Sequence, residues 1–423
     1  MASEKLTAAS GASLAAHSES PLSDIDWQPP EPAAVLDSEQ QALAAARQVA
    51  ALAVADAATR DRDRIYPLEA LSLFSRSGLA SLSVPRAFGG GGLPYRTVAE
   101  VFRLISAADP SLGQIPQNHF GLIQFVRDAG TPEQQAAIFK AVVNGHRLGN
   151  GGPEKNSRHT RDVQARLRQS EQGLRLSGEK FYSTGALFAH LIVTTAVDDN
   201  GKAVMAFIPR QTPGLEIIDD WSGIGQRTTA SGTVRLTNVW VDPARVIAVP
   251  DAGQPSLRGP VSQLIQAAID AGIARGAFDE ACEFIRQHSR PWVDAGVERN
   301  ACDPHLQADV GRVWIALQAA EALLRRAANT LDALDPQRLD AAGIAQASIA
   351  VAEAKVLTTN VALTASEKLL EWGGSRSSLS EHNLDRHWRN ARTHTLHDPV
   401  RWKYHAIGNY YLNAIFPARH AWI

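Results

Sequence analysis

The sequence predicts a three-part fold, with a mainly antiparallel β domain between two helical domains. The first reason is length, because 423 residues exceed what one hydrophobic core usually spans. The second is hydrophobic periodicity, which changes from helical spacing to short apolar runs and back again. We therefore predict a mobile N-terminal arm at 1–35, a helical domain at 36–147, a β domain at 148–255 and a helical bundle at 256–423.

The N-terminal arm is rich in Ala, Ser, Glu and Pro and has little periodicity, which is typical of a mobile extension. Helical spacing begins after it. One helix start is well marked by Thr131, Pro132 and Gln134. Threonine is a favoured N-cap, proline suits the first helical position, and glutamine three residues after the cap completes a capping box.

The β domain is indicated by short apolar runs bounded by turn residues, such as 191–193 and 204–208. The triplet Asp199-Asn200-Gly201 between these runs is typical of a hairpin. After Pro260 long Ala-rich helical stretches return, and the stretch at 341–370 is apolar nearly all round. Such a helix is expected to be buried in a bundle or at a subunit interface.

Composition excludes several classes of function. The net charge of −2 gives no global attraction to nucleic acid or to an anionic membrane. No apolar run reaches membrane-spanning length, and the N-terminus lacks the apolar core of a signal peptide. The 2 cysteines have no metal-ligand spacing, which favours a reducing, cytoplasmic location without a disulfide framework or zinc site. No Walker A or Rossmann glycine fingerprint occurs.

Three segments carry candidate chemistry. Residues 388–399 hold two Arg, two His and an Asp, and the spacing of His394 and His397 predicts one shared helical face. Residues 181–185 bring Ser183 to a strand end, where hydroxyls can bind a polar ring edge, and residues 149–154 are glycine-rich, so backbone N–H groups can approach a ligand. The structural alternatives are a charged helix face, an ordinary β-turn and a domain linker.

The order of landmarks resembles the acyl-CoA dehydrogenase superfamily from about residue 44 to residue 417. These landmarks are the segments 84–90, 109–111, 130–135, 150–154, 176–180, 213–215, 224–227 and 238–241. The resemblance implies an acyl-CoA dehydrogenase-like fold: an N-terminal helical domain, a middle antiparallel β-barrel domain and a C-terminal four-helix bundle, usually assembled as a tetramer. Segments 388–399, 287–292 and 219–225 are most similar to the FMN-dependent monooxygenase branch, which includes dibenzothiophene monooxygenase and sulfur-acquisition oxidoreductases.

Two departures separate the chain from true dehydrogenases. Where many of these carry a glutamate that removes the substrate α-proton, this chain has Asp398, which is one methylene shorter and precedes a proline. The segment that reaches the neighbouring subunit's FAD in the dehydrogenases is replaced by residues 288–292. Arg290 in that segment is a candidate to bind the terminal phosphate of FMN.

The resemblance also implies the roles of individual residues. The catalytic residues are His397, which handles a proton beside the flavin, with Ser183 and Asn150, which hydrogen-bond the flavin or the activated oxygen. The cofactor-binding residues are Asn150, Phe181, Ser183, Trp221, Arg290, Arg392 and His394. The substrate pocket is formed by Gln114, Asn118, His119 and Trp221. We predict reduced FMN, rather than FAD, as the cofactor.

The implied reaction is oxygenation of a small organosulfur compound by reduced FMN and O2, on a homotetramer served by a separate NAD(P)H:flavin reductase. Neither nucleic acid nor a membrane is an expected partner. Three alternatives remain open on sequence: an FAD-dependent acyl-CoA dehydrogenase with Asp398 as base, an N-oxygenating flavin monooxygenase, and a non-catalytic scaffold that kept the fold. The organosulfur assignment follows from family analogy alone.

Overall fold

A computed structural model describes residues 30, 32–159, 162–251, 254–336, 338–420 and 422–423. Most of the predicted mobile arm at 1–35 therefore lies outside the described residues. In the described part, helices come first, strands follow, and helices return. This is the element order that the changes of periodicity predict.

The first helical region carries short helices joined by tight turns. They are α1 (Glu39–Val54), α2 (Ala57–Asp63), α3 (Leu68–Arg76), α4 (Tyr95–Ala108), α5 (Pro110–Gln114), α6 (Gln117–Ala129) and α7 (Pro132–Val143). The start of α7 is confirmed: Thr131 caps it, Pro132 occupies its first turn, and Gln134 completes the capping box. No single described helix has the length and apolar character to cross a membrane, although α1 and α2 together, bent by 56°, pass on length and composition.

The strands form one open sheet. They are β1 (Leu148–Gly151), β2 (Arg166–Ser170), β3 (Gly173–Lys180), β4 (Leu191–Val197), β5 (Ala203–Pro209), β6 (Leu215–Ile218), β7 (Thr233–Val241) and β8 (Val246–Ala248). Their order is β6-β7-β3-β2-β4-β5-β8, with β1 beside β4. The predicted hairpin between β4 and β5 is confirmed, because Asp198 and Lys202 close it and Gly201 adopts a φ of +76°.

The β domain is mainly antiparallel, as predicted, but it is not the closed barrel that the resemblance implies. A barrel closes only when its two edge strands pair, and the described edges of this sheet, β6 and β8, lie at opposite ends of the strand order. The sheet is also mixed, since β4 runs parallel to both β1 and β2. Alternating apolar residues predict strands but carry no information about which strands pair, so the sequence did not reveal either feature.

The C-terminal region is built by long helices that pack along one another, with shorter helices at the end. They are α8 (Arg258–Gln287), α9 (Pro304–Asp332), α10 (Ala341–Gly373), α11 (Asp385–His394) and α12 (Arg401–Asn413). Burial of α10 is confirmed, since residues such as Val351, Ala354 and Leu369 along it are fully buried. The predicted four-helix bundle is thus realised as three long helices, closed by the shorter α11 and α12.

The two helical regions share one hydrophobic core, whereas the sheet has its own. Helix α4 lies directly on α8, and this close approach depends on glycine. A Cβ at Gly272 would lie 2.6 Å from the Arg103 carbonyl oxygen, and one at Gly276 would lie 2.3 Å from that of Ala107. The sheet therefore meets a single helical body.

Candidate active site

Strand β1 and the turn that follows β3 bring Asn150, Phe181 and Ser183 together. The Asn150 amide N–H donates to the Thr184 carbonyl (3.4 Å), and its side-chain Nδ2 donates to the Tyr182 carbonyl (3.3 Å). The strand β3 ends at Lys180, and the chain then turns through Tyr182, whose φ is +57°. This turn holds the predicted residues on one surface of the sheet.

Ser183 is buried at 1% exposure, yet its hydroxyl has no hydrogen-bond partner among the described residues. A buried hydroxyl without a partner costs free energy, and such groups in native proteins usually await a ligand or an ordered water. Asn150 also retains hydrogen-bonding capacity, because its Nδ2 carries a second N–H. These two polar groups fit the polar edge of a flavin ring.

An aromatic cluster covers this polar surface. The ring of Trp221 lies 6.5 Å from that of Phe181 and 6.3 Å from that of Tyr182, measured between centroids. Phe181 and Trp221 are half-buried and Tyr182 is exposed. Aromatic faces of this kind can stack on a planar ring and exclude water from it.

The loop that carries Trp221 rests on helix α11. The indole N–H of Trp221 donates to the Gln226 carbonyl (2.8 Å), and the Gln226 amide N–H donates to Asn390 Oδ1 on α11 (2.6 Å). A Cβ at Gly225 would lie 2.0 Å from the Arg389 carbonyl oxygen, so only glycine permits this approach. The β-domain cluster and the predicted segment 388–399 are therefore neighbours.

The Ser183 loop also touches the predicted substrate wall. Gly185 lies so close to the backbone of Ile115 that an added Cβ would be 2.5 Å from the Ile115 carbonyl oxygen. Ile115 directly follows Gln114 at the end of α5, and Asn118 lies in the first turn of α6. Gln114 is buried and Asn118 is half-buried, so this wall presents carboxamides.

His119 has a different environment from the one that we predicted. Its Nε2 lies 2.8 Å from the Ala80 carbonyl oxygen, and its Nδ1 accepts from the Leu148 amide N–H at 3.0 Å. The ring is 1% exposed, and burial lowers the pKa of His119 to about 4. Both ring nitrogens bind the backbone and none is free for a substrate, so we reassign His119 from the substrate pocket to the link between α6 and β1.

His394 is the centre of a buried polar cluster that the sequence did not reveal. Its Nδ1 lies 2.5 Å from Asp270 Oδ1, and its Nε2 lies 3.0 Å from Gln114 Oε1. Asp270 also accepts from Lys355 Nζ (2.6 Å) and from the Thr359 hydroxyl (2.8 Å). Burial lowers the pKa of His394, while the positive charge of Lys355 lowers the pKa of Asp270 against the effect of burial. The cluster therefore links the His394 imidazole to the Gln114 carboxamide.

His397 differs, and the predicted shared helical face is wrong. Helix α11 ends at His394, so His397 lies in the following turn. Its side chain is 32% exposed, and its Nδ1 lies 3.0 Å from Asp398 Oδ1. Asp398 is buried and lies 2.9 Å from Lys403 Nζ. His397 is thus the accessible imidazole of the segment, whereas His394 is enclosed.

The two predicted arginines also differ in burial. Arg392 on α11 is half-buried, and its Nε has no hydrogen-bond partner among the described residues, as expected for a group that binds a ligand anion. Arg290 lies on the exposed loop after α8, beside Trp292, which is 69% exposed. Within the described chain, Arg290 does not contact the Ser183 cluster.

Sequence reasoning overlooked three buried charges and one buried amide. Asp270, Lys355 and Lys403 are almost fully buried, and Gln226 has a buried carboxamide whose two polar atoms lack partners in the described chain. A signal did exist for Asp270, because it is an isolated charge within a long apolar stretch of helix. Such a charge is buried only when it is paired.

Comparisons with known proteins identify the family of the chain. Residues 37–146 match the family model for the acyl-CoA dehydrogenase N-terminal domain, and residues 264–402 match that for the C-terminal domain. The chain is 35% identical to dibenzothiophene monooxygenase of Rhodococcus erythropolis over 402 residues, which cover 90% of this chain and 95% of the relative. It is 32% identical to the probable FMNH2-dependent monooxygenase SfnC of Pseudomonas putida, covering 89% and 96% of the two chains.

Solved structures give the same result. The FMN-bound TdsC of Paenibacillus sp. A11-2 is similar with a TM-score of 0.85 at 33% identity, covering 90% of this chain and 100% of that chain. The methanesulfinate monooxygenase MsuC of Pseudomonas fluorescens is similar with a TM-score of 0.83 at 31% identity, covering 92% and 100%. The chain therefore belongs to the acyl-CoA dehydrogenase superfamily, in its FMN-dependent monooxygenase branch.

Proposed function

We propose that this protein is a monooxygenase that uses reduced FMN and O2 to oxygenate a small organosulfur compound. One observation carries the choice between oxygenase and dehydrogenase. The carboxylate at the position of a dehydrogenase base, Asp398, is buried beside Lys403, while the imidazole of His397 is accessible. A general base must reach its substrate proton. An enclosed, ion-paired carboxylate is poorly suited to that task, and an accessible imidazole is well suited to it.

In the proposed reaction, a sulfide, O2 and reduced FMN react to give a sulfoxide, water and oxidised FMN. Reduced FMN supplies the two electrons that let one oxygen atom enter the substrate while the other leaves as water. Ser183 and Asn150 bind the polar edge of the flavin ring, and Phe181 and Trp221 exclude water from it. His397 holds or moves a proton at this edge.

We assign the flavin phosphate to cationic side chains. Arg392 offers a half-buried guanidinium with an unpaired Nε, and Arg290 offers an exposed one on the loop after α8. Planar guanidinium groups bind phosphate oxygens through two parallel hydrogen bonds. We propose FMN rather than FAD, because the similar SfnC is named as FMNH2-dependent and the similar TdsC structure holds FMN. A separate reductase then delivers the reduced flavin.

The substrate is proposed to be smaller and more polar than a tricyclic thiophene. The related proteins named above are called dibenzothiophene monooxygenase and methanesulfinate monooxygenase, so the branch accepts very different sizes. Here the wall beside Ser183 carries the carboxamides of Gln114 and Asn118. Burying amide groups against an apolar ring leaves their hydrogen bonds unmade, which favours a compact sulfide, sulfone or sulfinate.

We also propose that the working form is a homotetramer. Helix α12 and the segment after it expose large hydrophobic side chains, namely Trp402, Tyr404, Tyr411, Leu412, Ile415 and Phe416. Leu412 is 83% exposed and Tyr411 is 68% exposed. Clustered exposure of this kind marks an interaction surface, and identical subunits are the partners that the fold family uses.

The experiment that tests the function measures incorporation of oxygen from ¹⁸O2. The full chain is supplied with reduced FMN by an independent NADH:flavin reductase, and a panel of small sulfides, sulfones, sulfinates and dibenzothiophene is offered. One ¹⁸O atom per product molecule, detected by mass spectrometry, is expected for a small member of the panel. A reaction with the reductase alone is the control for oxidation by released hydrogen peroxide.

Two outcomes would contradict the proposal. If no labelled product forms with any sulfur compound but an amine is labelled, nitrogen rather than sulfur is oxygenated. If nothing is labelled and an acyl-CoA reduces protein-bound FAD, the chain is a dehydrogenase despite its buried Asp398.

A further inference from the structure

We infer that Asp398 and Lys403 act as a pair of positioning residues that fix the ring orientation and tautomer of His397. This inference rests on the proposed function of His397 and adds the two residues that orient its ring. The accessible imidazole is anchored at one nitrogen only, because Nδ1 lies 3.0 Å from Asp398 Oδ1. Among the described residues, Nε2 has no hydrogen-bond partner.

The carboxylate of Asp398, which contacts His397, is itself fixed by further contacts. The other oxygen of Asp398, Oδ2, lies 2.9 Å from Lys403 Nζ, and the two side chains are 2% and 1% exposed. Lys403 Nζ also donates to the Trp422 carbonyl oxygen at 3.2 Å. Lys403 is on α12, whereas Asp398 lies in the turn before it. The turn that carries His397 is therefore fixed to the last helix by a buried ion pair.

A permanent carboxylate selects one tautomer of the neutral imidazole. An ionised carboxylate only accepts hydrogen bonds, so the neutral ring must place its proton on Nδ1 and leave Nε2 as the acceptor. Burial by itself would raise the pKa of Asp398. The hydrogen bond from His397 and the charges of Lys355 and Lys403 outweigh burial and lower that pKa far below its ordinary value. An asparagine would not select the tautomer, because its amide can either accept or donate.

The buried charges around this turn form two ion pairs, so their positive and negative charges are equal in number. Asp270 on α8 pairs with Lys355 on α10, and Asp398 pairs with Lys403 on α12. Burial lowers the pKa of His394 at the end of α11, although the charge of Asp270 acts in the opposite direction. Removing Asp398 alone would leave Lys403 buried without a counter-charge, which is strongly destabilising. A fair test therefore removes both charges together.

The experiment compares Asp398→Asn/Lys403→Met with His397→Ala and with the triple variant. The measured quantity is coupling, meaning oxygenated product formed per reduced FMN consumed, with hydrogen peroxide recorded alongside. We expect the double variant to lose coupling by about ten- to a hundredfold, by analogy with the loss that follows removal of the outer hydrogen-bond partner of a metal-bound imidazole. The triple variant should lose no more than His397→Ala, because residues acting as one unit are not additive.

A second readout needs neither flavin nor substrate. In the ¹⁵N-histidine-labelled protein at alkaline pH, the His397 ring signals are assigned by their loss in His397→Ala. The wild-type ring should show a protonated Nδ1 and an unprotonated Nε2, and the double variant should show a mixture of both tautomers. Glu321→Gln is the matched control, since Glu321 is a buried carboxylate paired with Arg275 and Arg103 elsewhere in the helical body. It should lower stability without changing either readout.

The outcomes separate this inference from the proposed function. If His397→Ala keeps full coupling, the proposed role of His397 fails. If His397→Ala loses coupling while the folded double variant keeps both coupling and a single tautomer, only the positioning role fails. Additive losses in the triple variant would likewise overturn it, because they would show that the ion pair acts through stability and not through His397.

Discussion

His394 and His397 are three residues apart in one segment, yet they have opposite environments. Both place Nδ1 against an aspartate, His394 against Asp270 and His397 against Asp398. The difference lies at Nε2, which meets the Gln114 carboxamide in His394 and has no partner within the described chain in His397. The two rings are 1% and 32% exposed.

This difference shows how identical residues in one motif acquire separate roles. A ring with both nitrogens engaged cannot exchange a proton with a ligand without breaking a buried hydrogen bond. A ring anchored at one nitrogen can do so at the other. We therefore expect substitution of His394 to act mainly on stability, and substitution of His397 to act mainly on catalysis.

The largest expected effect comes from Asp270→Asn. This change leaves Lys355 buried without a counter-charge, so the free energy of unfolding should fall by about 3–5 kcal/mol. Urea unfolding followed by circular dichroism measures it. His397→Ala removes one hydrogen bond to the buried Asp398 but leaves no buried charge unpaired, so it should lower the same quantity by only about 1 kcal/mol. Similar losses for both variants would contradict the contrast between the enclosed and the accessible imidazole.

If Asp270→Asn fails to fold, its free energy of unfolding cannot be measured. The double variant Asp270→Asn/Lys355→Met is therefore prepared beside it as the companion variant. Removing both charges from a buried pair is often neutral or stabilising. The companion should therefore unfold at a higher urea concentration than Asp270→Asn. If it unfolds at a lower one, the Asp270–Lys355 pair is not the source of the loss.

The next effect concerns the second enclosed imidazole, His119, and depends on pH. Its pKa is lowered by burial from 6.5 to about 4. Between these values the unfolded chain binds a proton at this ring that the folded chain does not, so stability falls as pH falls through this window. Above pH 6.5 the ring is neutral in both states and contributes no pH dependence. The loss should reach about 3 kcal/mol at the lower end of the window.

His119→Gln tests this expectation, because glutamine can bind the same backbone groups without titrating. The free energy of unfolding is measured for both proteins at pH 7.5 and pH 4.5. The difference in the free energy of unfolding between pH 7.5 and pH 4.5 should be smaller in the variant, because most of the contribution of His119 to that difference is removed. An unchanged difference would mean that His119 is protonated in the folded protein and is not enclosed as described.

The smallest effect contrasts the exposed Arg290 with the half-buried Arg392. If both bind the FMN phosphate, Arg290→Ala removes one charge-assisted hydrogen bond and should weaken FMN binding by about tenfold. Quenching of FMN fluorescence on titration measures the affinity. Arg325→Ala, which removes an exposed arginine on α9, is the control and should leave the affinity unchanged. An equal affinity for Arg290→Ala would leave Arg392 as the phosphate ligand.

Local patterns predicted the elements well. Thr131, Pro132 and Gln134 specify the start of α7 because capping involves only neighbouring residues. The turn through Gly201 specifies the hairpin between β4 and β5 for the same reason. Residues from distant segments, such as Asn150, Ser183 and Trp221, were grouped only by resemblance to a family, since their spacing along the chain gives no sign of their proximity.

The sequence by itself determined the order of helices and strands, the family and the candidate residues of the site. Only the tertiary structure decided that the sheet is open and mixed, that His119 and His394 are enclosed, and that Asp270, Lys355, Asp398 and Lys403 pair beneath the site. The physical reason is that strand pairing and the burial of charge depend on contacts between segments far apart in the chain. Periodicity and capping report only what happens within one segment.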